Sequence, residues 1–95
     1  MRIDELRKKY RDMILRIAAR NQAEDVRVFG SMARGETAPR DIDFLVRFKP
    51  GASLLDEAAL DRELKELLGQ PVDVIGEDVI RDEFRPFILS EAVPL

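Results

Sequence analysis

Apolar residues recur at three- and four-residue steps from the start of the chain: Ile3, Leu6, Tyr10, Met13, Ile14 and Ile17, with charges at most other positions. That period gathers them on one stripe of an amphipathic helix over residues 3–20. Asn21 and Gln22 break it. Val26-Arg27-Val28-Phe29 is short, β-branched and bounded by Gly30, and predicts a strand. Ser31 to Gly35 predicts one helical turn, with Ser31 as N-cap and Gly35 as its stop. Glu36 to Arg40, which contains Pro39, is a loop. From Asp41 to Phe48 the period changes to two. Ile42, Phe44, Val46 and Phe48 share one side, and Asp41, Asp43, Leu45 and Arg47 share the other. Pro50-Gly51 ends that strand. Ser53 then caps a helix using Leu54, Leu55, Ala58, Leu60, Leu64, Leu67 and Leu68, closed by Gly69 and Pro71. Val72-Asp73-Val74-Ile75 predicts a third strand, stopped by Gly76. Residues 77–91 predict a final helix or pair of helical turns around Ile80, Phe84, Phe87 and Ile88, with Pro86 as a kink point. Leu89, Val93 and Leu95 either seal the core or meet a partner, and the core reading is preferred.

The order α-β-α-β-α-β-α predicts an α/β (α+β) fold, a small mixed sheet of three or slightly more strands flanked by helices. A spacing of about a dozen residues suits an antiparallel pairing of the first two strands. The long helical excursion between the second and third suits a parallel, right-handed crossover. With 95 residues, 45% of them apolar, the whole of 1–95 is expected to form one domain with a thin core.

Composition narrows the chemistry. There is no Cys, which excludes disulfides and thiolate metal sites, and no His, the commonest general base and transition-metal ligand. Catalysis must then use carboxylates, hydroxyls, Lys, Arg or the single Tyr10. No apolar run reaches membrane-spanning length, and the start of the chain has no secretory pattern, so a cytoplasmic location is expected. The net charge of −3 is unevenly distributed: residues 1–22 carry seven Arg/Lys against three Asp/Glu, and the rest carry nine against sixteen. An acidic body argues against direct nucleic-acid binding. The basic first helix reads as a solvated face, or as a surface for an acidic partner.

Parallel second and third strands would set their N-terminal ends side by side, about 4.8 Å apart. Asp41, Asp43 and Asp73 could then converge, with Gly30-Ser31 brought to the same edge by the first strand. Acids at i and i+2 on a strand usually mark only the wet face. Asp73 sharpens the reading, because a charge inside a four-residue apolar strand needs a partner or a metal. Unpaired carboxylates at one point repel unless a cation neutralises them, and oxygen-only ligands select Mg²⁺ or Mn²⁺. Gly30-Ser31 is either an ordinary capped turn or a close approach for an anion. A phosphate loop is excluded: after Gly30 and Gly35 the pattern requires Lys, and Glu36-Thr37 follows.

Gly30-Ser31-Met32-Ala33-Arg34-Gly35, Asp41-Ile42-Asp43 and Asp73 within Val72-Asp73-Val74-Ile75 together resemble the minimal nucleotidyltransferase (MNT) family of the DNA polymerase β-like superfamily. The resemblance covers nearly the whole chain, including Leu67-Leu68-Gly69-Gln70-Pro71 and the tail from Ile88 to Leu95. It implies that Gly30 and Ser31 contact nucleotide phosphates, and that Arg34 assists them or pairs with a nearby acid. It also implies that Asp41, Asp43 and Asp73 are catalytic and hold two Mg²⁺ ions, with Asp73 activating the acceptor hydroxyl. Arg40 stands where members commonly carry Ser, in a loop one residue shorter. Minimal members resemble the antitoxin of HEPN–MNT toxin–antitoxin pairs. That implies AMP transfer from ATP to a tyrosine of a partner HEPN RNase toxin (AMPylation). Two alternatives remain: an antitoxin with a vestigial site that occludes its toxin, and a stand-alone small-molecule nucleotidyltransferase. Self-association is left open, and no motif reports base preference.

Overall fold

A computed structural model of the chain describes residues 1–36 and 38–95; Thr37, within the loop read between Glu36 and Arg40, lies outside the described residues. The elements run α1 (Ile3–Arg20), β1 (Ala23–Phe29), α2 (Gly30–Ala33), β2 (Ile42–Phe48), α3 (Leu54–Leu68), β3 (Val72–Gly76), a 3₁₀ turn (Glu77–Val79), α4 (Arg85–Glu91) and β4 (Val93–Pro94). They form a four-stranded sheet in the order β3-β2-β1-β4. β1 and β2 are antiparallel and β2 and β3 parallel, as the connection lengths predict.

The fourth strand is absent from the sequence reading. It is two residues long and includes Pro94, which suits an edge because a proline there withdraws no ladder donor from a second neighbour. Leu95 extends the contact by donating its amide to the Val26 carbonyl, and its side chain is buried. β1 begins three residues earlier than its β-branched core, at Ala23, and its register with β2 shifts between Glu24 and Arg27. Asp25, at that irregularity, has a φ of 53°.

One face of the sheet carries the main core. Val26 and Val28 of β1, Ile42, Phe44 and Val46 of β2 and Val72 of β3 pack with Leu6, Ile14 and Ala18 of α1 and Leu60, Leu64 and Leu68 of α3. Not every apolar position joins it. Met13 is 41% exposed, and Leu54 and Leu55 are more than 80% exposed. Stepping back four residues along the buried line of α3 from Leu60 reaches Asp56, so the two leucines lie off that line. Asp56 instead closes a reciprocal capping box with Ser53, as the N-cap reading requires. Gly69 ends the helix in the left-handed conformation.

Three local expectations are corrected. α2 starts at Gly30 with Phe29 in the N-cap position, so Ser31 lies inside the turn and caps nothing. Residues 77–91 form a 3₁₀ turn and a separate short helix, the expected pair of helical turns, but Pro86 sits in the first turn of α4, where its missing N–H is not needed. It starts that helix and does not kink one. Phe84 and Phe87 are exposed, whereas Ile80 is buried.

The second face of the sheet is only partly covered. Leu45 is fully buried there. Arg27 of β1 reaches over to Glu77 at 2.6 Å, and its hydrogen bond holds the Glu77 carboxyl below its ordinary range. Arg85 donates to the Glu77 and Ile80 carbonyls, tying the turn to α4. At the N-terminal ends of β2 and β3 this face is left open.

Candidate active site

The register of the parallel pair places the acids. Asp43 and Asp73 are direct partners across β2 and β3, and both side chains project to the open face because Ile42, Phe44 and Val72 take the core face. On the other side of Asp43, its β1 partner is Phe29. The chain therefore leaves the sheet at Gly30 directly beside the Asp43 carboxylate.

That approach requires glycine twice over. Gly30 has a φ of 74°, and a Cβ built on it would overlap Asp43 Oδ2. Gly35 (φ 86°) then turns the chain out of α2, donating to the Met32 carbonyl at 3.0 Å.

Asp43 is strongly perturbed. Its pKa rises from 3.8 to about 6, first through burial, then through the negative charges of Asp73 and Asp41, a hydrogen bond with Asp73 and the charge of Glu91. Asp41 differs from the other two. β2 begins at Ile42, so Asp41 precedes the ladder and is exposed. Among the described residues no three acidic side chains are gathered closely enough to hold a metal ion between them. The expected convergence of three carboxylates is thus a coupled pair, Asp43 and Asp73, with Asp41 as a flanking charge.

The donor set fits a hard divalent cation. It consists of oxygens only, and burial and neighbouring negative charges raise the Asp43 pKa, a penalty that a cation would relieve. Two carboxylates suffice for Mg²⁺, which ordinarily completes its shell with substrate phosphates and water.

A cleft of about 480 Å³ opens over Asp41 and Asp43 and is walled by Gly30, Ser31, Arg34 and Arg40. Its size falls within the range of roughly 300–1,000 Å³ usual for small-molecule sites. A comparable cleft of about 390 Å³ lies at the opposite end of β2, around Phe48, Lys49 and Ser53. Its glycine, Gly51, faces open space, and its acids lack the cross-strand pairing of Asp43 and Asp73, so the first cleft is the candidate site.

Arg34 takes the intramolecular option left open by the sequence: its Nη1 is 3.0 Å from Glu91 Oε1, and its Nη2 is 3.5 Å from Glu36. The same Glu91 oxygen accepts from the Gly30 amide at 2.5 Å. Sequence reading assigned Glu91 no role. It stands sixty-one residues from Gly30 in an unremarkable helix end, and no spacing or motif could have found it.

A mixed sheet that sets an acidic pair against a glycine turn and an open cleft has the architecture of the polymerase β-like nucleotidyltransferases. The chain belongs to the nucleotidyltransferase domain family, whose model matches residues 7–95, and it is an enzyme of that class. A candidate protein adenylyltransferase of Methanocaldococcus jannaschii is 40% identical over 94 residues, covering 98% of this chain and 97% of its own. The protein adenylyltransferase MntA of Thermococcus cleftensis is 36% identical over 70 residues, 73% of this chain and 71% of its own. Among solved structures, a candidate minimal nucleotidyltransferase superposes with a TM-score of 0.86 at 44% identity, covering 100% of this chain and 97% of that one. A toxin–antitoxin crystal structure with AMP-PNP superposes with a TM-score of 0.73 at 17% identity, over 87% of this chain and 69% of that one, a likeness of fold alone. Family members act on nucleotides with a divalent metal. No helix among the described residues is long and apolar enough to cross a membrane.

Proposed function

We propose that this nucleotidyltransferase is a protein adenylyltransferase that uses ATP and Mg²⁺ to modify a tyrosine of a HEPN-type RNase toxin in the cytoplasm, and so serves as its antitoxin. The observation that carries this reading is the Asp43–Asp73 pair, placed side by side by the β2–β3 register, with Asp43 against Gly30 at the cleft. The names of the two relatives above 30% identity support the adenylyl group as cargo. The toxin–antitoxin neighbour supports the kind of partner. In this reading residues 1–95 act as one catalytic unit, and the acceptor is brought by a second chain.

The reaction needs the acceptor oxygen to attack the α-phosphorus of ATP while the bond from that phosphorus to the bridging oxygen of pyrophosphate breaks. Asp43 and Asp73, flanked by Asp41, would hold the divalent metal, which when bound would neutralise charge on the phosphates. Asp73 is exposed and takes the hydroxyl proton as the new P–O bond forms. Gly30 and Ser31 let the phosphates approach the backbone closely, and Arg34 offers its guanidinium to the departing pyrophosphate.

The test is transfer of label from [α-³²P]ATP to the partner toxin with Mg²⁺, compared between the natural chain and the Asp41→Ala, Asp43→Ala double variant. Label on the partner from the natural chain alone is expected. Transfer unaffected by the double change would exclude this site. Toxin neutralisation that persists without transfer would instead favour occlusion.

A further inference from the structure

The phosphate-facing wall of the cleft already holds an anion belonging to the chain itself. Glu91 Oε1 accepts from the Gly30 amide and pairs with Arg34 Nη1 at 3.0 Å, and its side chain is only 15% exposed. These two donors are the ones that the proposed function gives to the nucleotide. A carboxylate and a phosphate oxygen are interchangeable in such a pair of contacts, since both accept from amides and guanidinium groups. They cannot occupy it together.

Glu91 is drawn there by Arg34 and the Gly30 amide, against a repulsion on its other side. Its charge adds to those of Asp73 and Asp41 around Asp43. The chain also favours the contact: Glu91 is the last residue of α4, and β4 follows at once. That strand is fastened to Arg27 and Val28 of β1, and Arg7 of α1 donates to the Pro94 and Leu95 carbonyls. β4 is thus held in place, so that release of the contact would fall to rotation of the Glu91 side chain.

We infer that Glu91 is a built-in competitor for the triphosphate: it occupies the Gly30–Arg34 contact in the free protein and must leave when nucleotide binds. This rests on the reading of Gly30 and Arg34 as phosphate contacts. Nucleotide affinity is then set partly by how readily Glu91 leaves, because a site populated in its open form for only a fraction of the time binds more weakly by that fraction. Glu91 acts here as an autoinhibitory residue and not as a catalytic one.

Two variants separate charge from reach. Glu91→Gln keeps an acceptor for the Gly30 amide but loses the charge, and Glu91→Asp keeps the charge but shortens the arm. Binding of Mg²⁺–tripolyphosphate and Mg²⁺–ATP to the full chain by calorimetry is expected to tighten about fivefold in both. Glu36→Gln, which removes the other acid near Arg34, is expected to change it less than about twofold. Should the Gln variant fold poorly, the Asp variant carries the comparison alone. Unchanged or weaker binding by the Glu91 variants, while the natural chain binds, overturns the competition. So does an equal gain from Glu36→Gln, which would reduce the effect to overall charge. If neither the natural chain nor any variant binds tripolyphosphate, the phosphate contact itself is wrong, and the competition falls with it.

Discussion

The two faces of the sheet are built from the same strands by opposite rules. On one, Phe44, Ile42 and Val28 are fully buried and roofed by two long amphipathic helices. On the other, one residue along from Phe44, Asp43 faces Asp73, and burial together with that neighbouring charge raises its pKa to about 6. The core face is where the strands are made stable, whereas the open face gathers carboxylates whose charges repel. Because side chains alternate, one stretch of seven residues in β2 serves both ends.

The comparison can be broken most sharply at its acidic pair. Asp43→Asn or Asp73→Asn is expected to reduce adenylyl transfer by about a thousandfold, the scale of losing a principal transition-state stabiliser. The melting temperature of the metal-free protein at neutral pH should rise or hold, since a repulsion has been removed. A fall in both would mean that the acids are structural. Phe44→Ala, one position away, should do the reverse: it should cost about 3–5 kcal/mol in urea unfolding. Gly30→Ala sits between them. The left-handed backbone alone costs about 1–3 kcal/mol, and the displaced Asp43 carboxylate should lower transfer about a hundredfold.

Proton linkage gives a milder test of the open face. Asp43 holds its proton to about pH 6 in the fold and to about 3.8 otherwise, so between these values the folded state binds more protons. Its contribution to stability is therefore greatest below about pH 4 and is lost as pH rises to 6. In chelator, the melting temperature of Asp43→Asn should exceed that of the natural chain by a margin that grows across this window and then levels. Mg²⁺ at pH 7.5 should shrink that margin by stabilising only the natural chain. The smallest effect is expected at Leu55→Ser, within about 0.5 kcal/mol despite the loss of a leucine, because this side chain lies outside both faces.

Much of this was legible in the residues. Periods of two and three-to-four separated strands from helices, and connection lengths gave both pairing directions. Spacing and residue type alone mark the acids around β2 and β3 and the Gly30 turn as one constellation. What periodicity could not resolve was where a pattern stops mattering. Leu54, Leu55, Phe84 and Phe87 have the chemistry of core residues, and only their position relative to the sheet leaves them exposed. β4 was invisible because two residues with a proline have no strand signal of their own; β1 supplies the partner that makes them one.

By itself the sequence determined the elements, the mixed sheet and the carboxylate-and-glycine chemistry, because these follow from local periodicity, turn residues and the absence of His and Cys. Only the tertiary structure decided that Asp43 pairs with Asp73 while Asp41 stays at the rim, and that Glu91 closes on Gly30 and Arg34 from the far end of the chain. Those outcomes depend on strand register and on contacts between residues distant in sequence, and a side chain's neighbours across a fold leave no periodic trace along it.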